Sequence, residues 1–361
     1  MNEIKSNHRI IQIVSTPDGG GAEYIARELC INLRKKNIDC QIIYFSNPKN
    51  IKLEAWEICL GDYKAWDVRN YFLLSKKIIS LRIDSKLILH SHLTWPFLYT
   101  SLLLKKKNML KVYTEHNTYN RRRKYSFLRN IERLLYQRYD FIFCISEATR
   151  KSLESWLKYK FKKRCKVIYN GSRKITPRNC IIHENKKLDI ISIGSLTNQK
   201  GFDISIKAIS YCRDIVNSYN ILGEGKERSN LQRTILELKL SNKIFLKGYK
   251  NDIKKFLYKA NLAIISSRWE GFGLVATEFL SAGIPIVYFN VPGLNEVLSG
   301  CEAAIAVNDV DAKELSNAIT LAKQNLVANA YIYDKAIEHS NNFTNEKMVD
   351  NYLTSYLNIK S

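Results

Sequence analysis

The sequence predicts an α/β fold of two doubly wound domains, and three observations carry that expectation. Short apolar runs alternate with longer segments of helical periodicity from end to end, which is the pattern of parallel sheets covered by helices. The alternation breaks over residues 171–187, "GSRKITPRNCIIHENKK", a polar stretch with a proline and neither periodicity. The length of 361 residues accommodates two separate cores. The expected division is a first domain over 1–180, a second over 181–340, and a C-terminal helix over 341–361 packing back towards the first.

The elements follow in order. "RIIQIVS" (9–15) reads as a first strand, followed by a glycine loop and a helix over 22–36 with Ile25, Leu29 and Leu33 on one face. "CQIIYF" (40–45), "LILH" (87–90), "KVYTE" (111–115), "DFIFCIS" (140–146) and "KVIYN" (166–170) complete a six-strand unit. The second series is "LDIISIG" (188–194), "YNILG" (219–223), "KIFLKG" (243–248), "NLAIISS" (261–267) and "PIVYF" (285–289). In the tail, Met348, Tyr352, Tyr356 and Leu357 recur at helical spacing.

Composition excludes several classes. No apolar run approaches the ~18–20 residues of a membrane-spanning helix, and the first twenty residues lack the apolar core of a signal peptide, so a cytoplasmic protein is expected. The eight cysteines show no metal-ligand or C-x-x-C spacing and read as free thiols. The net charge of +23 is uneven: residues 1–200 hold 39 Lys+Arg against 17 Asp+Glu, the rest 18 against 17. The excess concentrates in "KKK" (105–107), "RRRK" (121–124) and "KYKFKKRCK" (158–166), a field that attracts polyanions such as nucleic acid or an anionic membrane leaflet.

The chemistry concentrates in "SSRWEGFGLVATEFLSAGIPIV" (266–287), where Glu270 and Glu278 stand eight positions apart around Gly271 and Gly273. A strand runs out into "RWEGFG", and a helix is expected from Phe272 to Ala282. Glycines there let backbone amides approach a phosphate, whose charge the helix N-terminus favours. Glu278, a turn and a half into the helix, can accept from two vicinal ribose hydroxyls, while Glu270 faces whatever the phosphates carry. Taken alone, Glu278 would be a solvated helix glutamate and Glu270 a capping acid.

Their surroundings shift that balance. The stretch resembles the E-x7-E motif of retaining glycosyltransferases of family 4, of GT-B fold, and the likeness continues through "GIPIV" and "PGLNEVL" (292–298). "GGGAE" (19–23), "YNG" (169–171), "IGSLTNQKGFD" (193–203), "ILGEGKERSNL" (221–231) and "FLKGY" (245–249) match the same family in the same order. The resemblance implies two Rossmann-like domains facing across a cleft. It implies a donor site in the second half: Glu278 on ribose, Glu270 on a donor-sugar hydroxyl, the amides of Phe272, Gly273 and Leu274 beside Gly271 on sugar and phosphate, and Lys200 on the diphosphate. Gly194, Ser195 and Tyr249 belong to the same expected set. Ser195 departs from the family, which often has an arginine there as a second phosphate cation, so Lys200 and the helix amides carry more of the charge. In the first half, Gly20 and Gly21 are expected at the donor phosphate or the reaction centre. His116 in "YTEHN" resembles the family's active-site histidine, and His90 and His92 in "LHSHLTW" are acceptor-binding candidates.

The expected activity is metal-independent transfer of a sugar, with retention, from a nucleotide-sugar donor to a saccharide or lipid-linked saccharide. The catalytic set is His116, Glu270 and Lys200, the donor a UDP-sugar, and the setting capsule, O-antigen or lipopolysaccharide assembly at the inner face of the cytoplasmic membrane. No cofactor and no metal are expected: Asp309 and Asp311 form a D-x-D triplet, but Asp311 precedes a helix and reads as its N-cap. Two other readings stand beside this one. A basic nucleic-acid-binding protein would use the tyrosines among the arginines of 113–138, though no nucleic-acid module accompanies them, and no nucleic-acid partner is expected. An epimerase or phosphorylase would share the same architecture. The segment 125–138, with Phe127, Ile131, Leu134 and Leu135 on one side, reads either as a core helix or as a membrane-docking one.

Overall fold

The computed structural model describes residues 8–81, 86–158, 161, 164–176, 184–329 and 331–359. The chain separates into two compact units, one of residues 1–171 with 345–361 and the other of residues 172–344. The boundary expected at 180/181 and the thiol of Cys180 lie outside the described residues.

The first unit is a parallel sheet of seven strands: β1 (His8–Val14), β2 (Asp39–Tyr44), β3 (Glu57–Cys59), β4 (Lys86–His92), β5 (Met109–Glu115), β6 (Phe141–Cys144) and β7 (Cys165–Val167). Their order is β3-β2-β1-β4-β5-β6-β7. The strand direction in sequence reverses between β1 and β4, and such a reversal opens a crevice beyond the carboxyl ends of the two strands. Helices α1 (Gly21–Lys35), α2 (Arg69–Ser80), α3 (Thr94–Leu102), α4 (Leu128–Gln137) and α5 (Glu147–Leu157) cover the sheet, joined by a C-terminal helix, Asn345–Asn358. Ile25, Leu29 and Leu33 of α1 are fully buried, as their spacing requires. The C-terminal helix buries Met348, Tyr352 and Tyr356, while Leu357 stays on its rim.

The second unit is a parallel sheet of six strands: β8 (Leu188–Ile193), β9 (Val216–Leu222), β10 (Ile244–Gly248), β11 (Leu262–Ile265), β12 (Ile286–Phe289) and β13 (Ala304–Val307), ordered β10-β9-β8-β11-β12-β13. Its reversal falls between β8 and β11. The helices are α6 (Phe202–Tyr211), α7 (Arg228–Glu237), α8 (Lys254–Leu257), α9 (Leu274–Ser281), α10 (Pro292–Leu298), α11 (Ala312–Ala328) and α12 (Ile332–Ser340).

The structure differs from the sequence expectation in three places. β3 and β13 are extra strands of three and four residues. β3 is held by charge rather than by an apolar run, since Glu57 accepts from Arg27 at 2.7 Å and from the Tyr44 hydroxyl at 2.8 Å. Helix α9 begins at Leu274 rather than Phe272 because Gly273 sits at φ +85°, outside helical geometry. A Cβ there would also lie 2.4 Å from Leu294 Cδ2, so only glycine fits. Asp311 accepts from the amides of Lys313 and Glu314 at 2.7 and 3.1 Å, the N-cap its position suggests. Seven cysteines among the described residues are free thiols.

Candidate active site

In the second unit, the loops leaving β8 and β11 meet at the sheet reversal. They are stitched into one piece: Ser266 donates to the Lys200 carbonyl at 3.0 Å, Gln199 to the Trp269 carbonyl at 3.0 Å, and the Arg268 amide to the Gln199 carbonyl at 2.7 Å. The Arg268 guanidinium clamps Asp203 in two bonds of 3.0 and 2.7 Å, which ties the start of α6 to the same loop. Within this frame the Lys200 ammonium donates to Glu270 Oε1, and that oxygen also accepts from the Ser267 hydroxyl at 2.8 Å. The Lys200 stem lies across Gly194, where a Cβ would come within 3.2 Å of Lys200 Cε. Gly194 is therefore the bed that lets a long cation lie flat over the end of β8.

Glu270 is 8% exposed. Glu278 is half-buried on α9, and its carboxyl has no side-chain partner among the described residues. Burial pushes that carboxyl above its ordinary range, with Arg173 opposing. A half-buried acid whose basicity is raised by its surroundings is unlike a solvated helix glutamate. Helix α9 starts with no side-chain cap, which leaves the amides of Leu274 and Val275 without one, while the Ala276 amide donates to the Gly273 carbonyl at 2.8 Å. Phe272 is buried and Gly271 partly so, on the approach to those amides. Ser195 is exposed beside Gly194, while Tyr249 is 70% exposed beyond the edge strand β10, two strands from β8. The structure thus joins Gly194, Lys200, Ser267 and Glu270 directly, with Ser195 next to Gly194 and Gly271–Leu274 and Glu278 following Glu270 into α9; Tyr249 follows Gly248, which bridges Gly223, a residue packed against the Gly194 carbonyl.

In the first unit, Gly20 caps α1 and Gly21 opens it, again with no side-chain cap. His116 follows β5 and is 9% exposed. Its preceding residue anchors the turn: Glu115 accepts from the Asn117 amide at 3.1 Å, from Arg123 at 3.3 Å and from the Tyr136 hydroxyl at 2.6 Å. Burial pushes His116 down to about 3, so the ring is neutral.

His90 and His92 are corrected from acceptor-binding residues to interior ones, both with no exposure. They share one face of β4, two residues apart. His90 has both ring nitrogens occupied, by Tyr356 Oη and Thr114 Oγ1 at 2.7 Å each. His92 is occupied by His116 at 2.9 Å and Gln12 at 2.8 Å. Sequence reasoning missed Gln12, Ser267, Tyr352 and Tyr356. The available signal was Gln12 itself, an amide inside an apolar strand, which requires a partner wherever it is buried.

The described residues include no cluster of metal-binding type and no helix long and apolar enough to cross a membrane. Comparison with known proteins agrees with this architecture. The family model for glycosyl transferases group 1 matches residues 177–339 and that for glycosyltransferase family 4 matches residues 19–172. An uncharacterized glycosyltransferase of Methanocaldococcus jannaschii is 31% identical over 258 residues, 68% of either chain. An O-antigen biosynthesis glycosyltransferase of Escherichia coli, WclY, is 27% identical over 54% of this chain and 55% of its own. Among solved structures, HepE of Anabaena in complex with UDP and glucose superposes with a TM-score of 0.82 at 17% identity, covering 97% of this chain and 99% of that one. Two Rossmann-like parallel-sheet units of the GT-B class, matched in chain order by these two family models, place the protein in a known group: it belongs to the glycosyltransferases of family 4.

Proposed function

We propose that this glycosyltransferase moves a sugar, with retention of configuration, from a UDP-sugar to a saccharide or lipid-linked saccharide in bacterial surface-polysaccharide assembly. The observation that carries the reading is the pairing of Lys200 with Glu270 beside the uncapped start of α9. One cation and a row of amides suit a diphosphate, and one fixed carboxylate suits a sugar hydroxyl next to it. Glu278, half-buried and unpartnered by side chains among the described residues, suits the two ribose hydroxyls. HepE was solved with UDP and glucose, and WclY acts in O-antigen biosynthesis, which favours this donor class and setting.

In this reading the bond from the anomeric carbon to the diphosphate oxygen breaks as the acceptor oxygen bonds to the same face of that carbon. The acceptor proton passes to the departing diphosphate. Lys200 and the α9 amides stabilise the charge that develops there, so neither a protein nucleophile nor a metal is called for. Glu270, fixed by Ser267 and Lys200, orients the sugar. Turnover is expected to survive EDTA.

The membrane side of the reading rests on α4. Phe127, Ile131 and Leu134 are 69, 52 and 63% exposed, whereas Glu132 and Tyr136 face the interior. Leu135, on the same side, packs partly against the core. Lys124, Arg133 and Arg138 are exposed nearby in sequence, and exposed apolar side chains interspersed with cations fit an anionic lipid surface.

The deciding experiment incubates the protein with a panel of nucleotide sugars, with and without lipid-linked or free saccharide. Nucleoside diphosphate released only when acceptor is present supports transfer. Interconversion of the donor without release would indicate an epimerase, and release that needs inorganic phosphate a phosphorylase; either result sinks the proposal.

A further inference from the structure

The three buried histidines of the first unit are wired together, and with the Gln12 amide oriented oxygen towards His92 the wiring sets where their protons sit. Gln12 of β1 stands opposite His90 of β4, and His92 opposite Thr114 of β5. Gln12 Oε1 lies 2.8 Å from His92 Nε2, and His92 Nδ1 lies 2.9 Å from His116 Nε2. A carbonyl oxygen can only accept, so the proton of that first bond is on His92 Nε2. A neutral imidazole carries one proton, which leaves His92 Nδ1 as a lone pair. His116 must then donate from its Nε2. Its own Nδ1 is left unprotonated, and that nitrogen has no hydrogen-bond partner among the described residues.

Both rings are neutral for a physical reason. Burial lowers the basicity of His92 and His116, and in His92 the neighbouring His90 and His116 add to the effect. The other end of Gln12 belongs to a second chain. Its Nε2 reaches Tyr356 Oη at 3.5 Å, and Tyr356 Oη meets His90 Nδ1 at 2.7 Å. His90 Nε2 meets Thr114 Oγ1 at 2.7 Å, which in turn meets Tyr352 Oη at 3.2 Å. With the Gln12 amide donating to Tyr356, the Tyr356 hydroxyl, the His90 ring and the Thr114 hydroxyl each accept once and donate once, and the branch ends on Tyr352 Oη. Turning the amide over would reverse the order at all three histidines, so a single side chain governs both branches.

We infer that Gln12 and His92 are positioning residues that hold the His116 proton on Nε2 and present its Nδ1 as a hydrogen-bond acceptor to a substrate hydroxyl. The inference rests on the reading of His116 as a substrate contact. It adds a chemical direction to that contact: His116 selects a sugar that offers an O–H at this point and discriminates against the deoxy or methylated analogue, which cannot donate.

The test uses the full chain labelled with ¹⁵N-histidine. Long-range ¹H–¹⁵N correlation identifies the protonated ring nitrogen, with signals assigned through His116→Gln and His90→Gln. At pH 7, without substrate, His92 and His116 are expected to show protonated Nε2 and bare Nδ1. A His116 ring protonated on Nδ1 in the wild-type protein overturns the inference before any variant is made. In Gln12→Leu the tautomers are expected to mix and kcat/KM to fall roughly tenfold, the loss of about one aimed hydrogen bond. Gln12→Glu, whose carboxylate also accepts from His92, is expected to restore the Nε2 tautomer and most of the turnover, which a merely structural role for Gln12 would not do. Tautomers unmoved by Gln12→Leu refute the relay. Tautomers that shift while turnover holds refute the assignment of Nδ1 to a substrate hydroxyl, so loss of the relay and loss of the substrate contact are read separately.

Discussion

At the scale of single residues, the candidate site is built on an ion pair. Lys200 and Glu270 neutralise each other in a setting where Lys200 is 19% and Glu270 8% exposed at the side chain. In the proposed reading, a diphosphate arriving at the α9 amides competes for that ammonium. Lys200→Ala is expected to lower kcat roughly 10²- to 10³-fold, the scale of losing one group that stabilises the leaving charge. The urea midpoint should stay close to the parent, because Ser267 still serves Glu270 at 2.8 Å. Unchanged kcat would remove Lys200 from the site. The interior histidines set a second expectation. His90, His92 and His116 are all held below their ordinary basicity by burial. Each takes up a proton in the unfolded chain below about pH 6.5, so the unfolded state binds more protons there. Their contribution to stability is full above that pH and lost as pH falls. The slope approaches about 1.4 kcal/mol per pH unit for each histidine, checked by urea unfolding between pH 7 and 5. The placement of Lys200 and Glu270 together was legible because both lie in ordered motifs at strand ends. The inward aim of His90 was not, since the residues that cover it, Tyr352 and Tyr356, lie more than 260 positions away in the chain.

At the scale of elements, the apolar stripes of the strands and of α1 translated directly into burial. Two kinds of element escaped. β3 and β13 are too short to show a period, and β3 draws its order from the Glu57 carboxylate rather than from hydrophobicity. Helix α4 escaped differently, because Phe127, Ile131 and Leu134 face out while Leu135 packs partly inward. Periodicity reveals that a helix has two faces, but not which one meets the protein; here Trp156 donates to the inward Glu132 at 2.8 Å and settles the matter. Replacing Phe127, Ile131 and Leu134 together by serine should leave the unfolding midpoint within about 0.5 kcal/mol per site, as for other exposed positions. Partitioning onto anionic vesicles should fall at least roughly a hundredfold, given ~1.5–3 kcal/mol for each fully buried side chain of this size. Vesicle cosedimentation measures it at low salt. Equal binding of the parent protein to neutral vesicles would reject the preference for an anionic surface.

At the scale of the whole molecule, one chain builds two sheets, but the first is completed from outside its own contiguous stretch. The C-terminal helix is bound to it at many points: Asn345 donates to Glu28 at 3.1 Å, Lys36 pairs with Asp350 at 2.8 Å, Lys166 donates to Ser355 at 3.1 Å, and Lys86 donates to the Ile359 carbonyl at 3.0 Å. Removing residues 345–361 would strip Tyr352 and Tyr356 from His90 and leave buried polar groups without partners. The expected result is proteolysis of residues 8–171 under conditions where residues 184–344 remain protected, read by limited digestion and mass spectrometry. Equal protection of both stretches would show that the helix is dispensable. The same feature has a consequence for the order of events on the ribosome. Units usually fold as they emerge, N-terminal first, at ~5–20 residues per second. Here roughly ten to thirty seconds of further translation separate the last strand of the leading sheet from its closing helix, and throughout that interval the nascent histidine face stands uncovered, a natural point of engagement for chaperones.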